Sequence, residues 1–403
     1  MKRILPLFCI VVLSAGSVHA DIDGPATVGT IVNASNAFGF DIFAQLRKEK
    51  PGKNVFISPY SISTCLAMVL GGAGGTTRTA MAKTLLLEGL SPSGIDGACA
   101  GLREEIKTPD PQVSLETANS LWMMKGLKPK TDFLYRSRVH FGATVQELDF
   151  NNPRARSRIN SWVSDATHGK IDSIVDHLDA RADALLLLNA VYFKGTWTKV
   201  FHGEVTRNAP FVPDTGGPKS VPMMHNGGRF EYFENEMLQA IRLPYGSGRL
   251  GMYIFLPRSG VPLRRLESDL NDTTWKKWTQ QLQFSEGSIA LPRFKLAYEA
   301  NLNATLKALG MRIAFDPGAA DFTGIGSAPD GRFFISAVEH KTFIDVNELG
   351  TEAAAVTGVM VGATSAPLNP FRMIVDRPFL YAIADRPTGA ILFLGAMEDP
   401  TQG

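Results

Sequence analysis

The sequence predicts an α+β protein. Its first half carries apolar residues at helical spacing, its second half carries β-branched and aromatic runs bounded by Gly, Pro and Asn, and the two patterns do not alternate. Helices and strands segregated in this way pack as α+β, whereas regular alternation produces parallel sheets with crossover helices. With 44% hydrophobic and 20% charged residues over 403 positions, the composition is that of a folded protein. It excludes disordered, collagen-like and coiled-coil classes.

Residues 1–20 read as a signal peptide. Lys2 and Arg3 precede an apolar run from Ile4 to Leu13 that is too short to span a bilayer, and Val18-His19-Ala20 offers small residues for cleavage. The remaining chain, residues 21–403, shows no repeat, low-complexity tract or linker and is expected to be one exported domain. Ile31, Ala34, Phe38, Ile42 and Leu46 then mark a helix that Pro51-Gly52 ends. Ser58-Pro59 supplies an N-cap and a proline at the first helical position, and Gly71-Gly72 closes the helix it opens. A third helix runs from about Pro153 to His168-Gly169, with Arg154, Arg156 and Arg158 on a solvated face. Strands are expected over Leu185 to Trp197, Leu250 to Leu256, Ser288 to Leu296 and Phe333 to Val346. Phe379 to Ala384 and Ala390 to Ala396 flank Asp385-Arg386-Pro387-Thr388-Gly389 and read as a hairpin.

Charge and cysteine usage narrow the function. The chain has 41 Lys and Arg against 39 Asp and Glu, and the two counts become equal once Lys2 and Arg3 leave with the signal peptide. So neutral a chain offers no field for nucleic acid or an anionic membrane to follow. After Cys9 leaves, Cys65 and Cys99 remain, too few for a disulfide framework. Cys65 lies in the apolar run Ile62 to Leu70 and reads as a small buried hydrophobe; spacing does not decide whether it pairs with Cys99.

No catalytic constellation assembles. Gly71-Gly72-Ala73-Gly74-Gly75 follows a helix and lacks the Lys-Ser/Thr ending of a phosphate loop. There is no Cys-x-x-Cys or His-Glu-x-x-His, so neither a metal nor a cofactor is expected. Gly246-Ser247-Gly248 lacks the spacing of a nucleophile elbow and reads as a turn. His340 lies inside a strand-like run, where a hydrogen-bonded core histidine is the simpler reading than a catalytic base.

Residues 350–366 stand apart. They carry one charge and no proline, and have too little bulk for a core element, yet Thr351, Ala353, Ala355, Thr357, Val359 and Val361 form a small or β-branched row with period two. The segment is a loop by bulk and a strand by pattern.

Four ordered motifs resemble the serpin family. Asn54-Val55-Phe56-Ile57-Ser58-Pro59-Tyr60-Ser61-Ile62 is similar to its early helix signature, and Ile159-Asn160-Ser161-Trp162-Val163 with Thr167, Gly169, Lys170 and Ile171 to its sheet-covering helix. Leu188-Asn189-Ala190-Val191-Tyr192-Phe193-Lys194-Gly195-Thr196-Trp197 resembles its most recognisable strand, and Met373 to Ile383, with Asp376-Arg377-Pro378-Phe379-Leu380, its C-terminal signature. The resemblance implies three β-sheets, eight or nine helices and an exposed reactive-centre loop at about residues 350–370. It implies no catalysis by the chain itself. The loop is bait for a protease; once the loop has been cleaved and has acylated the enzyme, its hinge enters the central sheet as a strand and carries the enzyme away. Reactive-loop insertion in serpins is a well-known instance of strand addition to a sheet.

Carried over by position, the hinge is Gly350, Thr351, Glu352, Ala353, Ala354, Ala355, Val356 and Thr357, and the reactive bond is Thr364-Ser365, with Ala363-Thr364 and Ser365-Ala366 as the alternatives one residue to either side. Ser58, Ser61, Asn189 and His340 fall where the family's central sheet opens, and Trp197, Arg293 and Glu348 where it makes the contact at the top of that sheet. Thr364, after Val361-Gly362-Ala363, suits the shallow pocket of an elastase- or subtilisin-like serine protease. A cysteine protease is a second kind of partner. Polyanion activation is not supported, because residues 91–112 hold Arg103 and Lys107 against Asp96, Glu104, Glu105 and Asp110. The resemblance therefore implies a metastable, monomeric, secreted suicide-substrate inhibitor, with a non-inhibitory carrier or chaperone as the alternative.

Overall fold

Thr27, Ser58, Ser91 and Asn271 each turn a side-chain oxygen onto the backbone N–H three residues ahead, and each opens a helix. The computed structural model describes residues 26–107, 110–179, 183–328, 333–351 and 369–402. Among them the α-helices are α1 (Val28–Glu49), α2 (Pro59–Leu70), α3 (Gly75–Thr84), α4 (Pro92–Ile106), α5 (Thr131–Phe141), α6 (Ala155–Ala166), α7 (Leu263–Asp269), α8 (Asp272–Gln280) and α9 (Asn303–Leu306). None of these is long and apolar enough to cross a membrane.

The strands are β1 (Val55–Ile57), β2 (Val113–Met124), β3 (Lys128–Pro129), β4 (Thr144–Leu148), β5 (Leu185–Thr196), β6 (Arg207–Phe211), β7 (Lys219–Glu234), β8 (Leu238–Pro244) and β9 (Leu250–Pro257). They continue as β10 (Gln283–Pro292), β11 (Phe294–Asn301), β12 (Gly326–Ser327), β13 (Ile335–Asn347), β14 (Gly350–Thr351), β15 (Phe371–Ile374), β16 (Phe379–Asp385) and β17 (Ile391–Met397). They form three sheets. Six strands in the order β11-β13-β14-β5-β2-β4 make the sheet that carries the site. A nine-stranded sheet runs β1-β17-β16-β9-β8-β7-β10-β15 with β6 on β7, and β3 pairs with β12 in a third.

The six-stranded sheet is buried on both faces, which is why β5 reads Leu185 to Phe193 as an apolar run interrupted only by Asn189 instead of alternating. One face joins the main core under α2 through Leu185, Leu187, Val191 and Phe193. The other face packs Leu186, Leu188 and Ala190 against Ile159 and Val163 of α6.

Several boundaries differ from the sequence reading. The strand expected over Ser288 to Leu296 is two strands, β10 and β11, separated at Arg293, whose backbone N–H turns to Pro222 of β7. The helix expected from Pro153 to Gly169 is confined to Ala155–Ala166, because Asn152 ties the Ala155 backbone in a preceding turn and Gly169 takes a positive φ after it. Strands β2 and β4 sit within the helix-rich half, and α7, α8 and α9 within the strand-rich half, so the segregation of elements is weaker than the sequence suggests. Cys65 and Cys99 are both buried free thiols, pushed up to about 12 by burial, which settles their pairing in the described structure.

Candidate functional site

The site is a seam between β5 and β13. From Ile335 to Phe343, β13 lies directly against Leu185–Tyr192 of β5 in a parallel ladder of eight register pairs. Beyond that ladder β14 stands between the two strands, with Thr351 opposite Gly195 on one side and Val346 on the other, and Gly350 opposite Thr196 and Asn347. The first two residues of the expected hinge are thus already strand, antiparallel to both neighbours.

Two features hold them there. Gly350 has φ +151, and a Cβ at this position would collide with the Gly195 carbonyl oxygen, so only glycine fits. Thr351 is fully buried, and its hydroxyl lies 2.8 Å from that of Tyr245. The Tyr245 ring stacks on Trp197 at 4.3 Å between centroids and meets Phe193 edge-on. Gly195 leaves room for the Tyr245 and Phe193 rings, since a Cβ there would stand 2.9 Å from each. Burial pushes the Tyr245 phenol well above its ordinary range, so it stays a neutral hydroxyl.

The predicted top-of-sheet residues do meet. Trp197 donates its indole N–H to the Asn347 carbonyl at 2.9 Å and its backbone N–H to the Leu349 carbonyl at 2.9 Å. Arg293 pairs with Glu348, whose carboxylate also accepts the Thr206 hydroxyl at 2.7 Å. Burial alone would raise the Glu348 carboxyl, but the bonds from Arg293 and Thr206 outweigh it and hold the group below the usual carboxylate range. The turn from β13 into β14 is therefore pinned at Asn347, Glu348 and Leu349.

The predicted polar cluster also converges, lower on the same seam. His340 and Asn189 are register partners across β13 and β5, and the His340 Nδ1 lies 2.5 Å from Asn189 Oδ1. The Ser58 N–H donates to His340 Nε2 at 3.1 Å, which makes Nε2 the acceptor and leaves the proton on Nδ1. Asn189 Nδ2 donates to Ser61 Oγ and to Asn119 Oδ1. Ser61 in turn is held by the Ser58 hydroxyl, which accepts its backbone N–H at 3.2 Å. Burial lowers His340 to about 3, so the imidazole is neutral and cannot serve as a base near neutrality. One hydrogen-bond chain thus links three adjacent strands to the start of α2.

Three participants escape the sequence reading. Asn119 lies on β2, where Ser114, Glu116, Thr117 and Ser120 hide the strand pattern; an Asn between Ala118 and a buried Ser is a weak signal. Tyr245 and Thr206 carry none, since both reach the site through turns. Conversely, Glu352, Ala353, Ala354, Ala355, Val356 and Thr357 of the hinge, the reactive bond Thr364-Ser365 and the signal peptide lie outside the described residues. Among the described residues no group of three or more His, Cys, Asp or Glu could hold a metal.

Comparison with known proteins adds identity. The model of the family described as serpin, serine protease inhibitor, matches residues 33–400. A serpin-like protein of Thermococcus kodakarensis is 37% identical over 382 residues, covering 93% of this chain and 86% of its own. The leukocyte elastase inhibitor of Sus scrofa is 37% identical over 379 residues, covering 91% and 98%. Among solved structures, the thermophilic serpin tengpin in its native state superposes with a TM-score of 0.85 at 30% identity, covering 92% of this chain and 94% of that one. The chain belongs to the serpin family.

Proposed function

We propose that the chain is a suicide-substrate inhibitor of a serine protease with a shallow primary pocket, of elastase or subtilisin type, and not itself an enzyme. The observation that carries this reading is β14: Gly350 and Thr351 stand between β5 and β13 as the start of a strand whose continuation is the small, proline-free row up to Val361. When the protease's serine attacks the Thr364 carbonyl, the Thr364-Ser365 bond breaks, Ser365 leaves as the new amino terminus and Thr364 is held as the acyl-enzyme ester, so the freed hinge Gly350 to Thr357 extends β14 down the seam. The likeness to a leukocyte elastase inhibitor supports the target class. Residues 1–20 act as a signal peptide, and residues 21–403 form one secreted domain.

The driving energy is a difference. Each step of insertion breaks one rung of the direct β5–β13 ladder and makes pairings on two sides, so about one rung per residue is gained. At about 1 kcal/mol net per hydrogen bond, a strand of about ten residues gains on the order of ten kcal/mol, comparable with the stability of a domain. Antiparallel pairing also replaces a slightly weaker parallel one.

Incubation with a protease panel tests the reading. Elastase or subtilisin should form an SDS-stable complex of about one to one and release a fragment starting at Ser365, as expected of a covalent trap. A fragment starting beyond Pro367, or trapping of trypsin alone, refutes the target assignment. Cleavage of the loop with no complex by any protease refutes inhibition and supports the carrier alternative.

A further inference from the structure

Far from the seam, the end of α1 sets one guanidinium among several carboxylates. Arg47, in the last turn of α1, pairs through Nε with Glu267 of α7 at 2.6 Å, through Nη2 with Glu398 just past β17, and through Nη1 with the Lys53 carbonyl. Every nitrogen of that guanidinium is thus engaged. Burial pushes both carboxyls up, Arg47 pulls them down, and the charge of Asp214, in the turn between β6 and β7, pushes them up again. Glu398 is 6% exposed, and its Oε2 has no hydrogen-bond partner. Its backbone is held in place, with the N–H donated to Asn54 Oδ1 at 2.7 Å. A buried carboxylate oxygen without a donor is an exception that needs a cause. Here the cause is a shortage of cationic N–H groups.

Arg47, Glu267, Glu398 and Asp214 all line one cavity of about 630 Å³, within the size range of small-molecule sites. Its frame is rigid, being the end of α1 with its Pro51-Gly52 stop, α7 and the end of β17. Among the described residues no three carboxylates are arranged to hold a metal ion, whereas an organic cation carries several N–H groups and can reach acids spaced more widely. The exposed lining adds the opposite sign. Lys48 and Arg264 stand on the same cavity and face solvent, and Ala44, Pro51 and Pro262 give it apolar wall. Buried acids below exposed bases make a dipolar cleft.

We propose that this cavity binds a small dipolar amine, an alkylammonium with a carboxylate several methylenes away, the ammonium against the acids around Arg47 and the carboxylate at Lys48 and Arg264. The ammonium supplies the charge that one guanidinium cannot give to Glu267, Glu398 and Asp214 together, and the methylenes lie on the apolar wall. The site goes beyond the inhibitor reading and does not depend on it, because α1, α7 and the end of β17 take no part in the β5–β13 seam.

Titration calorimetry on the full chain with ε-aminocaproate, hexylamine and hexanoate, at matched ionic strength, tests the proposal. ε-Aminocaproate should bind one to one with a dissociation constant on the order of a millimolar or tighter, and at about ten times that concentration should raise the thermal midpoint by about two degrees. Hexylamine should bind roughly tenfold more weakly and hexanoate not at all. Glu398→Gln keeps the shape and relieves the crowding of acids on Arg47, so its midpoint should be equal or higher while affinity for ε-aminocaproate falls by about tenfold or more. Asp214→Asn, on an exposed turn, should weaken binding several-fold and decides the matter should Glu398→Gln not fold. Lys48→Ala combined with Arg264→Ala should bring ε-aminocaproate down to the affinity of hexylamine. Absence of binding by both amines, or undiminished binding in Glu398→Gln and Asp214→Asn, overturns the site and leaves a proton as the partner of the Glu398 carboxylate. Equal affinity of the parent for the two amines overturns the dipolar assignment.

Discussion

The hydroxyl groups of Tyr245 and Thr351 meet at 2.8 Å in a space closed to solvent, joining the end of β8 to the first residues of the proposed hinge. Thr351 is thereby both an inserted residue and a latched one. The latch is a neutral hydrogen bond, strong enough to favour one position and weak enough to be exchanged.

Tyr245→Phe keeps the stacking on Trp197 and removes that bond. The Thr351 hydroxyl is left buried without its partner, which costs about 1–3 kcal/mol. Hydrogen exchange at the Gly350 and Thr351 amides should accelerate by one to two orders of magnitude, and the thermal midpoint should fall by a few degrees. Unchanged exchange would show that β14 is held without Tyr245.

Thr351→Arg should convert inhibitor to substrate. Thr351 is fully buried, so an Arg must either enter the seam as an unpaired charge, at a cost of several kcal/mol, or stay out and stop insertion. Gels should show cleaved chain and free active protease in place of complex, with the rate of first encounter nearly unchanged. Undiminished complex in the variant excludes Thr351 from the hinge.

Stability should fall with acid through His340. Its folded value, lowered to about 3, lies below its ordinary 6.5, so the unfolded chain takes up the proton first. The contribution is complete above about pH 6.5 and is lost as pH falls toward 3, by several kcal/mol in all. As pH drops through the usual carboxylate range, Glu348 adds a loss of the same sign, since its folded carboxyl is held low. His340→Gln should flatten the decline of the thermal midpoint between pH 6.5 and 4; a parallel decline in parent and variant would assign the acid sensitivity elsewhere.

Cleavage of the loop should raise the thermal midpoint by about ten degrees or more, because extension of β14 adds pairing worth on the order of ten kcal/mol and each kcal/mol moves a domain of this size by about one degree. Scanning calorimetry on intact and nicked chain decides it. Equal midpoints mean that the cleaved loop stays out of the sheet.

Much of this site is legible in the sequence because its residues violate their surroundings. Asn189 interrupts an apolar run, His340 sits inside a strand pattern, and Ser58-Pro59 is a helix start, so each is conspicuous from the order of amino acids alone. Their meeting is not, since the bond between His340 and Asn189 depends on register across a parallel pair separated by 151 positions. Asn119 and Tyr245 escape notice for the opposite reason. One lies in a strand whose polar residues mask its period, and the other in a turn whose path is set by the sheets on either side. The break at Arg293 is illegible because the β10 and β11 runs are both apolar where they meet and differ only in which sheet they join.

The seam between β5 and β13 behaves as a crack with an open tip. Between Phe343–Tyr192 and Val346–Gly195 the strands β13 and β5 pass from mutual contact to separation by β14, so the proposed insertion would start with the costly initiation already done and need only propagation. A propagating crack is arrested locally. An obstacle at Thr351 stops it at the outset, one at Ala355 or Thr357 stops it part-way, and the His340–Asn189 rung, three positions below Phe343 on β13, is where the advancing tip meets its first cross-strand side-chain bond. The position of a blocking side chain along the hinge should therefore set how far an acylated protease travels before it stalls, and with it whether the enzyme is trapped or released.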